Sequence, residues 1–63
     1  MNVPKTYIAK RLLEHGPLTF AEFWEITGWM RRTCEVVLRN LVEAEVAVAE
    51  PVDGHRHQYR LAD

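Results

Sequence analysis

Three arginines lie close together in the middle of the chain. Arg31 and Arg32 are adjacent, and Arg39 follows about two helical turns later, with Glu35 between them. A guanidinium group can form two parallel hydrogen bonds to a phosphate or to the O6 and N7 atoms of guanine. The same side chains are also common on the hydrated side of an amphipathic helix. The cluster therefore has two interpretations, a nucleic-acid contact or a solvated helix face.

A second basic group stands near the C terminus. His55, Arg56 and His57 are consecutive, and Arg60 follows them. Arginines here could contact a nucleic-acid backbone, or they could serve only the solubility of a hairpin. The two histidines with Asp53 also have the side-chain types of a metal site. Because no thiolate accompanies them and they stand at a hairpin tip, we predict no metal and no other cofactor.

The distribution of charge favours a nucleic-acid contact for both basic groups. The 63 residues carry a formal net charge of −1, and the isoelectric point is near 6.3. Residues 29–40 and 54–60 together carry +4, so the rest of the chain carries −5. Such a separation of charge orients a protein toward a polyanion even when its total charge is near zero.

Length and composition predict one small domain, residues 1–63, and a whole protein that begins at Met1. The chain is 48% hydrophobic and 27% charged, as in globular domains, and no apolar run approaches the roughly 20 residues that cross a bilayer. A single cysteine suits a reducing compartment, so we expect a cytoplasmic protein. No nucleophile and base occur at a motif spacing, and no glycine-rich phosphate loop precedes a helix, so we predict that it is not an enzyme.

Two helices are predicted before the arginines. Helix 1 is predicted over about 4–15, where apolar residues recur at helical spacing until Gly16 ends the pattern. Helix 2 is predicted over about 20–27, because Thr19 and Glu22 form a capping-box pattern. The apolar residues that recur at helical spacing in these helices are Ile8, Leu12, Leu13, Phe20, Phe23 and Ile26.

Helix 3 is predicted over about 30–45 and has two distinct faces. At about 100° per residue, one side of the helix is apolar and the opposite side carries the arginines. The apolar side, expected to be core, consists of Cys34, Val37, Leu38, Leu41 and Ala44. The opposite side consists of Arg31, Arg32, Glu35, Val36 and Arg39.

After helix 3 the hydrophobic period changes to two. This change predicts a β-hairpin over about 46–62, with strands at about 46–50 and 56–61. Asp53-Gly54 predicts a type I′ turn, in which both central residues have positive φ. The predicted fold class is therefore α+β, with a three-helix core followed by a C-terminal hairpin.

The order of these elements resembles a winged helix-turn-helix domain, the module of many bacterial and phage transcriptional regulators. The resemblance covers about residues 7–62. It rests on four segments that occur in the order and spacing of that family: GPLTFAEF entering helix 2, TGWMRRT at the helix-turn-helix corner, VVLRNLVEAE through helix 3, and DGHRHQYRL in the hairpin.

The resemblance implies that helix 3 is a recognition helix in the major groove of DNA and that the hairpin is a wing on the adjacent backbone or minor groove. We therefore predict a small stand-alone, sequence-specific double-stranded DNA-binding protein, a transcriptional regulator that acts as a homodimer. The residues expected to contact DNA are Arg31, Arg32, Glu35, Val36, Arg39, Thr19, His55, Arg56, His57 and Arg60.

Four residues depart from the family pattern. Met30 stands near the N-cap of helix 3, where serine or threonine is usual, and Glu35 is an acid beside the expected phosphates. Trp24 stands where alanine is usual, so either the helices pack at another angle or Trp24 turns outward. Glu45 replaces a common glycine at the end of helix 3. A domain this small has little room for six large aromatic side chains, so Trp24, Phe20 and Tyr7 are candidates for a partner surface. The alternative hypothesis is a protein-interaction module of the same shape that uses Trp24 and Phe20 or the helix 3 face.

Overall fold

The computed structural model describes residues 3–62. The predicted domain also includes residues 1, 2 and 63, which lie outside this range.

Helix α1 is shorter than its sequence pattern. Helix α1 runs Lys5–Leu13, with Pro4 at its N-cap, rather than over 4–15. Ala9 and Leu13 are buried, whereas Ile8 of the apolar pattern is 37% exposed. The small Ala9 faces inward where α1 packs against the third helix.

Helix α2 begins and ends where its sequence predicts. It runs Phe20–Thr27 and starts with a complete capping box. The Glu22 N–H donates to Thr19 Oγ1 at 3.2 Å, and the Thr19 N–H donates to Glu22 Oε1 at 2.9 Å. Gly28 ends the helix with a φ of 68°, a left-handed conformation that glycine adopts without a steric cost. This turn aims the chain into the third helix.

Helix α3 runs Arg31–Glu43, two residues short of the predicted end. It closes with two hydrogen bonds, from the Glu45 N–H to the Val42 carbonyl and from the Val46 N–H to the Leu41 carbonyl. These are the bonds of a Schellman motif, in which the residue corresponding to Glu45 is usually glycine. Glu45 has a φ of 60°. The sequence departure at this position therefore coincides with a left-handed residue that bears a side chain.

The sheet has three antiparallel strands, in the order β1-β3-β2. Strand β1 is Leu18–Thr19, β2 is Ala47–Asp53, and β3 is Arg56–Leu61. The sequence predicts the β2–β3 hairpin but not β1, which pairs Leu18 with Tyr59. Two residues are too few to show a period, and only pairing with β3 defines them as a strand.

The hairpin turn differs from the prediction. Neither Asp53 nor Gly54 has a positive φ, so the turn is not type I′. The register shifts between Pro51 and Asp53, which extends β2 past Pro51 and leaves Gly54 and His55 as the turn residues. The extra residue in β2 is a bulge, and it moves the turn one position along the chain.

Strand β2 is an edge of the sheet, because β3 pairs with it on one side only. Ala47 is nevertheless 2% exposed. Farther along the same edge stands Pro51, which has no N–H to donate. Both features reduce the number of backbone hydrogen-bonding groups that this edge offers to another strand.

The core lies between the three helices and one face of the sheet. Cys34 is fully buried, as predicted, and Trp29 packs its ring edge-on against Phe23 at 5.8 Å. Ala44 is exposed, so its predicted core position is wrong. Ile26 of the apolar pattern in helix 2 is 55% exposed. The core side chains are Ala9, Leu13, Phe23, Cys34, Val37, Leu38, Leu41 and Ala47. Along α3 the predicted apolar face is confirmed as far as Leu41, after which the helix ends.

Candidate nucleic-acid interface

The first turn of α3 carries two positive side chains and no acidic one. Arg31 and Arg32 follow the N-cap residue Met30, whose side chain makes no capping hydrogen bond. A helix N terminus bears a partial positive charge, so a cation there costs about 0.3–1 kcal/mol. Both arginines are exposed. Local helix stability therefore does not explain their position, whereas a negatively charged ligand would.

Arg31 and Arg39 lie along a groove between α3, the start of α2 and strand β3. Two neighbouring depressions form this groove, and both are lined by Phe20 and Tyr59. We name the whole surface the helix–hairpin groove. The first depression is also lined by Arg31, Glu35 and Arg39. The second is also lined by Thr19, Ala21, His55, Arg56 and His57.

Two aromatic residues fix the depth of the groove. Phe20 and Tyr59 are both half-buried and pack against the hydrophobic core. Phe20 is the first residue of α2 and is placed by the capping box, whereas Tyr59 is held in β3 by its pairing with Leu18. The sequence predicts neither Tyr59 as a groove residue nor strand β1, which brings Tyr59 next to α2. The available signal was an aromatic residue at an inward position of a period-two strand.

The predicted arginines of α3 and the hairpin differ in their partners. Arg31 Nε lies 3.3 Å from Glu35 Oε1, one helical turn ahead. Arg32, Arg39 and Arg56 form no ion pair with any carboxylate in residues 3–62. Three of the arginines predicted to contact DNA therefore have no carboxylate of this part of the chain in contact with them. The groove also contains the Glu35 carboxylate.

Arg56 lies on the hairpin near the start of α2. Its positive charge contributes to lowering the pKa of Glu22, although the main cause is the pair of hydrogen bonds between Glu22 and Thr19. Glu22 therefore stays ionised as the capping residue, close to the second depression. The charge of Arg56 on the hairpin therefore acts on Glu22 at the N terminus of α2.

Arg60 lies outside the groove. It follows Tyr59 in β3, and successive side chains of a strand lie on opposite faces of the sheet. Arg60 Nε is 2.9 Å from Glu50 Oε2, and its Nη1 donates to the Leu61 carbonyl at 3.1 Å. The hydrogen bond from Arg60 lowers the pKa of Glu50. The structure therefore does not bring Arg60 together with the other predicted residues.

Two predicted residues of α3 flank the groove without lining it. Arg32 is exposed, and Val36, one turn further along, is half-buried. Neither is among the side chains that line the two depressions. They extend the arginine-bearing face of α3 away from the hairpin.

The predicted partner residues divide into two places. Trp24 is 42% exposed, as one of the two sequence interpretations required, and its ring lies 6.2 Å from that of Phe20 at a tilt of 53°. Trp24 and Phe20 thus adjoin the helix–hairpin groove. Tyr7 is 53% exposed on α1 and does not line the groove. The amino group of Lys5, also on α1, lies 5.7 Å from the Trp29 ring centroid.

Residues 3–62 contain no site of two further classes. No group of three or more His, Cys, Asp or Glu side chains has the arrangement needed to hold a metal ion. No helix in this part of the chain is both long and apolar enough to traverse a lipid bilayer.

Comparisons with protein-family models, with curated proteins and with solved structures found no match to this chain.

Proposed function

We propose that the protein is a winged helix-turn-helix DNA-binding protein, in which α3 is the recognition helix and the β2–β3 hairpin is the wing. One observation carries the proposal. Arg31 and Arg39 of α3 and Arg56 of the hairpin line two adjoining depressions that share Phe20 and Tyr59, although the chain as a whole is acidic. The lining has three arginines and one carboxylate, that of Glu35, and such an excess of positive charge attracts a polyanion.

The dimensions of α3 are compatible with this role. Thirteen residues make a helix about 20 Å long, and the major groove of B-DNA, about 12 Å wide, admits one α-helix. With α3 in the major groove, its N-terminal arginines would meet the base edges and the hairpin would meet the adjacent backbone. We propose that the protein acts in this way as a small homodimeric regulator of transcription, without catalysis.

The proposal predicts that binding to duplex DNA weakens steeply with salt, because each neutralised phosphate releases counterions. Arg39→Ala and Arg56→Ala should each weaken binding to any duplex and reduce the slope of log affinity against log salt by about 1. Fluorescence anisotropy with a labelled random-sequence duplex, measured from low to physiological salt, gives both quantities.

The matched control for these variants is Arg11→Ala. Arg11 is an exposed arginine on α1, paired with Glu14 at 3.4 Å, and it does not line the groove. Its removal should leave the salt slope unchanged. Equal effects of all three variants would mean that only net charge matters, and absence of salt-dependent binding in the unsubstituted protein would refute the proposal.

A second candidate function is a protein-interaction module that uses Trp24. Its support is the 42% exposure of an indole whose ring lies 6.2 Å from that of Phe20, beside the groove. An apolar interface of this kind would respond little to salt, so the same titration separates the two functions.

A further inference from the structure

Glu35 is the one acidic side chain that lines the two depressions of the groove, where it lies with Arg31 and Arg39. Its carboxylate engages Nε of Arg31 at 3.3 Å. Within residues 3–62 no side chain other than that of Glu35 pairs with Arg31. The Nε edge of the guanidinium faces Glu35, and 69% of the Arg31 side chain is exposed, so a ligand can reach its terminal amino groups.

This ion pair is poorly placed as a stabilising device. On a helix, an acidic residue four positions before a basic one is more favourable than the reverse order found here. The pair also puts Arg31 at the positive end of the helix. An arginine that only needed to attract phosphates would gain nothing from a carboxylate beside it, because the carboxylate repels phosphates.

Guanine is the ligand that fits a guanidinium held in this way. Nη1 and Nη2 can donate together to guanine O6 and N7, the commonest specific contact in the major groove. Phosphate contacts tolerate many side-chain conformations and carry no sequence information. Restricting the orientation of Arg31 therefore serves base recognition, and the free oxygen of Glu35 can accept from the N4 amino group of a neighbouring cytosine.

We propose that Glu35 is a positioning residue, which holds Arg31 to read guanine, while Arg39 and Arg56 hold phosphates. The inference rests on the proposed function and deepens it by naming the base that the site recognises. It also assigns a role to Glu35, the one carboxylate that lines the groove. This carboxylate is expected to improve discrimination of guanine and to lower the affinity for any duplex.

The test starts from the duplex that the unsubstituted protein selects from a random pool. Replacing its guanines one at a time with 7-deazaguanine removes only the N7 acceptor and keeps base pairing. At one position this change should weaken binding about tenfold to a hundredfold, as expected when a charged donor loses its hydrogen-bond acceptor. Arg31→Ala should abolish the sensitivity to that position.

Glu35→Ala should have two opposite effects. It should remove most of the discrimination at the Arg31-dependent guanine, because the guanidinium is no longer held. It should also raise the affinity for random duplex about two- to fivefold, because a negative charge leaves the groove. Glu35→Gln keeps an oxygen that can accept from Arg31 Nε, so it should retain part of the discrimination. In the Arg31→Ala background, Glu35→Ala should leave discrimination unchanged.

Glu14→Ala is the matched control, since it breaks the Arg11–Glu14 pair on α1, away from the groove. It should change neither quantity. If Glu35→Ala raises affinity for the selected and the random duplex equally, or if no guanine is Arg31-dependent, the positioning role is refuted and the DNA-binding function stands. If no duplex binds in a salt-dependent way, both proposals fail together.

Discussion

Glu45 ends α3 in the left-handed region of backbone conformation, with a φ of 60°. A side chain in this region meets the following carbonyl oxygen and costs about 1–2 kcal/mol. The hydrogen bonds of Glu45 and Val46 back to the last turn of α3 keep the chain in this conformation. The stability of the helix end therefore depends on contacts that compensate for a locally unfavourable residue.

Replacing Glu45 with glycine should stabilise the domain. The steric cost disappears, while the greater freedom of glycine in the unfolded chain removes part of the gain, so we expect a net increase of about 0.5–1 kcal/mol in the free energy of unfolding. Urea denaturation followed by tryptophan fluorescence measures it. Glu45→Ala removes the same charge but keeps the β-carbon, so it should show little of the gain. Equal stabilisation by the two variants would assign the effect to charge instead.

Helix α2 depends on the bonds at its first turn, since it has only eight residues. Thr19 and Glu22 satisfy two backbone N–H groups reciprocally, and these hydrogen bonds lower the pKa of Glu22 below its ordinary value of 4.5. A carboxyl whose pKa is lower in the folded than in the unfolded state stabilises the fold when ionised. That contribution is present above the unfolded pKa and is lost as the pH falls through the folded pKa.

Glu22→Gln should therefore reveal a pH-dependent difference in stability. The amide still accepts a hydrogen bond but cannot ionise, so the unsubstituted protein should be the more stable one at neutral pH. The difference between the two free energies of unfolding should shrink as the pH falls below 4.5. Chemical denaturation of both proteins across this range measures it. Other carboxyls titrate in both proteins and cancel, so a difference that stays constant would contradict the assignment.

The elements that could be predicted from the sequence are those with enough residues to show a period. The buried face of α3 follows from Cys34, Val37, Leu38 and Leu41, and the start of α2 follows from the capping pattern. Strand β1 could not be predicted, because two residues have no period and their partner is about forty positions away in the chain. The exposed Ile26 shows the same limit, since a short helix has two flanks and only packing decides between them.

The candidate site could be predicted in part for similar reasons. Helical geometry alone brings Arg31, Glu35 and Arg39 to one face, and the structure agrees. The place of Arg60 depends on the alternation of side chains along β3 and on its ion pair with Glu50 of the adjacent strand. The sequence alone does not reveal that pair. Tyr59 enters the groove only through the pairing of β3 with β1.

The dimensions of the whole molecule bear on how two copies would share a DNA site. The described chain measures 40 × 26 × 20 Å. One turn of B-DNA is about 34 Å long, and dimers of helix-turn-helix proteins contact half-sites that far apart. Two copies with their shorter dimensions along the duplex can therefore occupy successive turns of one face without overlap.

If the protein acts as a homodimer on DNA, binding to paired half-sites should depend on their phase. Inverted half-sites whose centres are about 10 base pairs apart should be filled cooperatively, because both copies then lie on the same face of the duplex. Adding about five base pairs puts the second copy on the opposite face and should abolish cooperativity. Electrophoretic titration of the two duplexes distinguishes these results, and equal, independent filling of both would indicate a monomeric binder.

The outer edge of β2 has a consequence for the protein at high concentration. The Ala62 N–H donates to the Val46 carbonyl, and in an antiparallel ladder this bond turns the backbone groups of Ala47 and Ala49 away from β3. Ala47 is buried, and Pro51 has no N–H to donate. Along this stretch Ala49 is therefore the residue whose N–H and C=O groups could both pair with a strand of another molecule. A single residue is too short a template to seed fibril growth. The outer edge of β2 can thus remain uncovered without recruiting other copies into aggregates.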